Sequence, residues 1–303
     1  MRLFVAITDS DWYEYLSRLV PDEVNFWQPS GGSQFRALTP GEPLLFKLHS
    51  PNDYIVGGGF FSHFSILPVS FAWLVFGEKN GAATEQEMRR RIEHYRRVPP
   101  NVTEDYKIGC ILLQRPFFFE RASWIPLPQW APSIVRGKGY ETNEQGGREL
   151  WTQVESRLGA TSLATEPQTT ARFGQPQMIF PRLGQGAFRV IITDAYERQC
   201  AFTSSHVLHV LEAAHIRPYA QGGAHQPENG ILLRQDIHTL FDKGYITVTP
   251  AYRIEVSRRI REEFDNGNEY YGLNGRAIHL PAPQQVRPSQ ELLTWHNDNV
   301  YRA

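Results

Sequence analysis

The chain has 303 residues, 41% hydrophobic and 21% charged, which fits a globular protein of about two domains and excludes a wholly disordered or coiled-coil chain. Its 31 basic and 32 acidic residues leave a net charge of −1, which argues against wrapping nucleic acid by charge alone but leaves room for a local basic surface. Two cysteines, Cys110 and Cys200, exclude a disulfide framework and a four-cysteine zinc site, and no apolar run reaches membrane-spanning length.

Asp9, Asp11 and Glu14 interrupt the apolar start, so no signal peptide is read there and a soluble, cytoplasmic chain is expected. Residues 1–80 read as strands joined by turns, with short apolar runs (LFVAI, PLLFKL, YIVGGGFF, FAWLVF) bounded by Gly, Pro, Asn and Asp. Gly57, Gly58 and Gly59 inside one such run point to a bulge or a close backbone approach. Residues 84–97 read as a helix opened by a Thr84/Glu87 capping box, with Met88, Ile92 and Tyr95 on its buried side. Arg89, Arg90, Arg91, Arg96 and Arg97 flank that side and are candidates for DNA backbone contact or for a solvated face. Further strands are expected over 106–128, and a short amphipathic helix over 146–158 closes the first domain. Composition then shifts to Gly, Ala, Thr, Pro and Gln, so 161–186 reads as a linker between domains 1–160 and 187–303. A helix over 187–200 leads into the second domain.

The chemistry concentrates in 196–249. LEAAHI is a strand-like run ending at His215, a polar loop with Pro218, Gly222 and Gly223 follows, and Asn229 opens a second apolar run, GILL. Residues 234–243 read as a helix stopped by Gly244, on which His238 and Asp242 share a face and can grip one metal ion. His215, Asn229 and His238 thus follow at intervals of 14 and 9 residues in the order strand, loop, strand, helix.

This pattern, A-A-H-I-x-P-x-x-x-G-G followed by N-G-x-x-L-R-x-D-x-H-x-L-F-D, resembles the HNH nucleases, the ββα-metal or His-Me finger group. The resemblance implies an endonuclease whose catalytic residues are His215, Asn229 and His238. His215 is then the general base, His238 a metal ligand with Asp242 beside it, and Asn229 the residue that holds the loop and orients His215 through its amide. The implied cofactor is one divalent ion, Mg²⁺ or Mn²⁺, opposite the base across the scissile phosphate. Many members of the family carry a ligand immediately before the base. Ala214 stands there, and Glu212 is the candidate replacement, with water ligands or an inactive enzyme as the other possibilities. Cys200 stands alone, so no structural zinc is expected, and it reads as a core residue. His206, His209 and His225 read as surface or hydrogen-bonding histidines.

In the first domain, G-E-P-L-L-F-K followed by I-V-G-G-G-F resembles the PUA-like superfamily of ASCH, EVE, YTH and SRA domains. The implied fold class is α+β, with an N-terminal PUA-like, β-barrel-type domain and a C-terminal ββα-metal HNH nuclease domain. Joined in this way, the halves resemble modification-dependent, type IV-like restriction enzymes acting on double-stranded DNA in phage defence. Three readings stay open: an endonuclease for modified, above all cytosine-modified, DNA; a restriction endonuclease reading unmodified DNA; and a non-catalytic reader with a decayed nuclease fold. A flipped base needs an aromatic face and polar groups for its edge. Trp27 in a polar, turn-rich loop is the candidate stacking residue, with Asn25, Gln28 and Ser30 as edge readers; the alternative is that Phe26 and Trp27 plug the barrel. Trp12 and Tyr54 are weaker candidates.

Arg217 and the cluster Arg258, Arg259 and Arg261 are further candidates for the DNA backbone. YITVT and YRIEVS read as a hairpin, Ser289 as the cap of a last helix, and His296 as structural. Cutting both strands needs two nuclease sites or sequential nicking, so a homodimer is expected.

Overall fold

The computed structural model describes residues 1–98, 103–127, 130–131, 133–162 and 183–303. Most of the expected linker, residues 163–182, lies outside the described residues. The chain divides into two compact units, Met1–Pro181 and Arg182–Ala303, and mixes strands and helices in both, an α+β architecture.

Unit 1 opens with β1 (Arg2–Thr8), α1 (Ser10–Leu19), β2 (Glu23–Gln28), β3 (Pro43–Leu48) and β4 (Tyr54–Pro68). It continues through α2 (Val69–Phe76), α3 (Glu85–Arg96), β5 (Lys107–Phe118), β6 (Ile125–Pro126), β7 (Gly137–Glu141) and α4 (Gln145–Ser162). Its strands form one seven-stranded sheet, ordered β2-β5-β4-β3-β1-β7 with β6 on the flank of β4. All neighbours are antiparallel except β1 and β3.

The glycine run behaves as its sequence implies. The β4–β5 register shifts between Gly58 and Phe60. A Cβ on Gly57 would lie 2.2 Å from Phe117 O, and one on Gly58 2.7 Å from Leu44 O, so the backbones of three strands meet where no side chain fits.

Two local expectations fail for identifiable reasons. FAWLVF is not a strand but most of helix α2, begun after Pro68. A uniformly apolar run has neither a two-residue nor a 3.6-residue period, so its pattern could not separate the two. In α3, Thr84 Oγ1 accepts from Glu87 N at 3.2 Å, so the Thr84 cap forms, while Glu87 Oε2 accepts from Ala83 N at 3.1 Å, one residue before the cap rather than the cap itself. Met88 and Ile92 are buried as expected, but Tyr95 is exposed, and Arg89 takes a buried place instead.

Unit 2 begins with α5 (Gln185–Ala195), then β8 (Leu211–His215), β9 (Gly230–Arg234) and α6 (Gln235–Asp242). The hairpin β10 (Ile246–Val248) and β11 (Ile254–Val256) follows, then α7 (Arg259–Phe264), α8 (Asn268–Tyr271) and α9 (Gln290–Asn299). A single apolar core built on Phe188, Ile192, Leu211, Ile231, Ile237, Phe241, Ile246 and Leu293 joins these elements. Ser289 caps α9, its Oγ accepting from Leu292 N at 3.5 Å. No helix among the described residues is long and apolar enough to cross a membrane.

Candidate active site

The site grows from β8, β9 and α6. The strands pair antiparallel with His215 opposite Gly230 and Glu212 opposite Leu233. Gly230 is extended, with φ −125°, so it is not needed for a turn. A Cβ there would lie 2.4 Å from Ile192 Cδ1 and 2.9 Å from Phe188 Cζ, so the glycine lets α5 press against the strand pair beside His215. In α6, Ile237 and Phe241 are buried in the core, and their neighbours His238 and Asp242 line a cavity of about 830 Å³ together with Glu212 and His215.

Asn229 is buried and fastens the loop between the strands. Its Oδ1 accepts from Arg217 N at 2.9 Å, and its Nδ2 donates to Arg217 O at 3.0 Å and Ala224 O at 2.9 Å. Gly223 has to pass beneath this clasp, since a Cβ there would sit 1.8 Å from Arg217 O. The loop-holding role is thus visible. The side-chain amide, however, bonds the loop backbone and not the His215 ring.

His215 is packed rather than free-standing. Its ring stacks on Phe188, with centroids 4.2 Å apart and planes 14° apart, and its Nε2 lies 2.8 Å from His225 Nδ1. Burial, helped by the neighbouring His225 and His238, pulls the His215 pKa down to about 4, so the ring is neutral at pH 7 and able to accept a proton.

His238 stands between two carboxylates, with Nδ1 2.7 Å from Glu212 Oε2 and Nε2 3.3 Å from Asp242 Oδ2. Burial, with Glu212 nearby, pushes the Asp242 carboxyl up against the opposing pull of His238. One imidazole and two carboxylates are a suitable donor set for a divalent ion. Yet no group of three His, Cys, Asp or Glu side chains among the described residues is ready to hold one. His238 meets its two neighbours through opposite ring nitrogens, so an ion on His238 would displace one of these pairings. The position before His215 cannot help, because Ala214 is wholly buried in the core.

Several residues at the site escaped the sequence reading. His225, read there as a surface or hydrogen-bonding histidine, touches His215, a contact that exists only once the loop folds back. Arg189, Lys243 and Arg302 line the same cavity and give it positive charge. Arg189 is half-buried and donates to Leu211 O at 2.8 Å, and burial pulls its guanidinium pKa down against the opposing charge of Glu212. Arg189 and Arg302 lie outside the densely matching segment, so no motif marked them. Cys200 is buried, as expected, and its Sγ accepts from Arg234 N at 3.3 Å. His296 is buried against Phe241 and bonds Thr247 Oγ1 at 2.8 Å, a structural place.

The expected DNA-backbone arginines separate. Arg90 and Arg258 are exposed. Arg217 is partly buried, donating to Gln221 O at 2.7 Å with its guanidinium 5.1 Å from the Trp295 ring centroid. Arg89 is a correction: it is buried and bonded to Glu85 Oε1 at 2.8 Å and Glu104 O at 2.9 Å, so it belongs to the packing of α3 and not to a DNA-facing surface.

Unit 1 holds its own cavity, about 970 Å³, lined by Trp27, Gln28, Ser30, Trp12, His49 and Tyr95 among others. Trp27 lies at the end of β2 rather than in a loop, paired with Cys110, and donates from Nε1 to Asn80 O at 3.0 Å. Asn25 is a second correction. It is fully buried and donates to Asn80 Oδ1 at 2.8 Å, so it supports the residue behind Trp27 and cannot read a base edge. In its place the cavity presents Tyr95, hydrogen-bonded to Asp9 and stacked on His49.

Residues 200–249 match the HNH endonuclease family. Among solved structures, the ASCH protein of Zymomonas mobilis is similar at 10% identity and a TM-score of 0.34, over 51% of this chain and 94% of that one. The modification-dependent TagI restriction endonuclease is similar at 11% identity and a TM-score of 0.29, over 93% of this chain and 76% of that one. No curated protein matches the chain. The second unit therefore contains an HNH endonuclease domain, over residues 200–249. Enzymes of this class generally work with a divalent metal ion.

Proposed function

We propose that the chain hydrolyses phosphodiester bonds in double-stranded DNA carrying modified bases, cytosines above all, and serves as a type IV-like restriction enzyme in phage defence. The observation that carries the reading is the meeting of His215, neutral and set beside a clasped loop, with the Glu212–His238–Asp242 line in one cavity. His215 takes a proton from the attacking water. Arg189, Lys243 and Arg302 draw the phosphate in and oppose its charge. His238, with Asp242 and Glu212, would hold a Mg²⁺ or Mn²⁺ ion, which would supply charge stabilisation to the reaction. Asn229 keeps the loop that frames His215 in place. Unit 1 selects the target through the Trp27 cavity, where the indole face stacks on a flipped base and Gln28 and Ser30 meet its edge. The enzyme acts as a homodimer, because two sites are needed to cut both strands in one encounter.

The test is a panel of DNAs differing only in cytosine modification, incubated with the full chain and Mg²⁺ or Mn²⁺. Preferential cutting of a modified member is expected. Equal cutting of all members sinks the selection, and cutting of none sinks the hydrolysis. His215→Ala should lower kcat by about 10²- to 10⁴-fold while DNA binding persists.

A further inference from the structure

We propose that His225 is a positioning residue for His215: its Nδ1 accepts the Nε2–H of His215 and so leaves His215 Nδ1 as the atom that takes the proton from water. The proposal rests on the reading of His215 as the general base.

The two rings are 2.8 Å apart, Nε2 to Nδ1, and each is held by its own stack. His215 lies on Phe188 with planes 14° apart, while His225 lies on Tyr219 with centroids 5.0 Å and planes 11° apart. Their planes meet at 65°, and each stack fixes the plane of its ring. The loop that carries His225 is tied by Asn229, whose Nδ2 donates to the carbonyl of Ala224, the residue immediately before it. Asn229 therefore supports the base from two sides, through the loop that carries His225 and through the backbone of Ile216 and Arg217 just after His215.

Proton counting selects the direction of the bond. A neutral imidazole has one N–H and one lone pair, and a contact between two ring nitrogens needs one donor and one acceptor. If His225 donated, His215 would keep its own proton on Nδ1, and neither of its nitrogens could accept one from water. If His225 accepts, the His215 proton sits on Nε2 and the Nδ1 lone pair is available. Burial, which holds His215 well below the usual imidazole value, keeps it neutral and makes this choice of tautomer meaningful. In the step itself an O–H bond of water breaks and the Nδ1–H bond of His215 forms. The water oxygen's electron pair forms the bond to phosphorus, and the bond to the leaving oxygen breaks with its pair. The positive charge then rests on His215, whose Nε2–H bond to His225 becomes charge-assisted and stronger.

Three variants of the full chain test this with the same DNA and Mn²⁺. His225→Phe keeps a ring for Tyr219 and removes the acceptor. His225→Asn restores an acceptor near the Nδ1 position. His215→Ala removes the base. The phenylalanine variant should lose about 10- to 100-fold in kcat, as other residues that orient a reacting side chain do, with KM for DNA changed less than about twofold. The asparagine variant should recover a large part of that loss. In ¹⁵N-histidine spectra, His215 should be the Nε2–H tautomer in the native chain and a mixture of tautomers in His225→Phe. Native kcat in His225→Phe beside an inactive His215→Ala overturns the positioning role alone. Native kcat in His215→Ala overturns the general-base reading. A loss in His225→Phe that falls on KM, or one without a change of tautomer, also overturns the positioning role.

Discussion

His296 and His215 show how burial turns a histidine into a pH-dependent liability or a tool. His296 is 1% exposed, lies on Phe241 with centroids 3.8 Å apart, and is pulled down to about 4 by burial, which outweighs the opposing hydrogen bond to Phe241 O. In the unfolded chain it titrates near the ordinary value of about 6.5. Between those values the unfolded chain binds the proton and the folded one does not. The stability is therefore fully present above about pH 6.5 and is lost as pH falls toward 4. The linkage amounts to about 2 kcal/mol between pH 7 and pH 5 for His296. His215 adds to the same trend from the same cause. Urea unfolding at the two pH values should show the fall, and His296→Gln should shrink the difference even if it lowers stability at both. An undiminished difference in that variant would assign the acid sensitivity elsewhere. The same neutrality serves chemistry at His215, which stands deprotonated at neutral pH.

Elements matter here through what their ends and close approaches hold in place. Helix α3 is a clear instance, because the Thr84 cap starts the helix that brings Tyr95 to the unit 1 cavity. Thr84→Ala removes the acceptor for Glu87 N and should cost about 1 kcal/mol in urea unfolding, whereas Thr84→Ser should cost much less. The Thr84 cap was legible because it depends on residues three apart in the chain. The buried side of α3 was legible only in part. Met88 and Ile92 face inward, but Arg89 is buried by partners outside the helix, Glu104 O and Asp105, and Tyr95 is drawn out by Asp9 and His49. FAWLVF was illegible for a different reason, since a run without polar residues has no period to read. Asn25 and Trp27 illustrate the limit for strands. Both meet Asn80, 55 and 53 residues away, one through the core and one from the cavity wall, and neither environment is visible in the local sequence.

At the scale of the whole molecule, near-neutral charge constrains how it finds DNA. Residues 1–165 carry 17 basic and 18 acidic residues, and 166–303 carry 14 of each. Neither half has the charge excess that drives strong non-specific binding. Discrimination in the proposed enzyme therefore belongs to the unit 1 cavity, and hydrolysis to unit 2. Trp27→Ala should abolish the preference for modified over unmodified DNA in competition cleavage, while cutting of unmodified DNA at high enzyme concentration stays within a few-fold of the native chain. Retained preference in that variant would move base recognition away from Trp27.

The sequence by itself determined the order of the nuclease motif, the His215, Asn229 and His238 spacing, the capped helices and the β10–β11 hairpin. Each of these depends on residues near one another in the chain, so periodicity, turn chemistry and motif spacing record them. Tertiary structure alone decided that His225 meets His215, that Arg189 and Arg302 join the cavity, and that Ala214 and Asn25 face the core. It also decided that Glu212 pairs with His238 across 26 residues. Those facts depend on which surfaces the folded chain presses together, and burial, charge and hydrogen bonding act on surfaces rather than on neighbours in sequence.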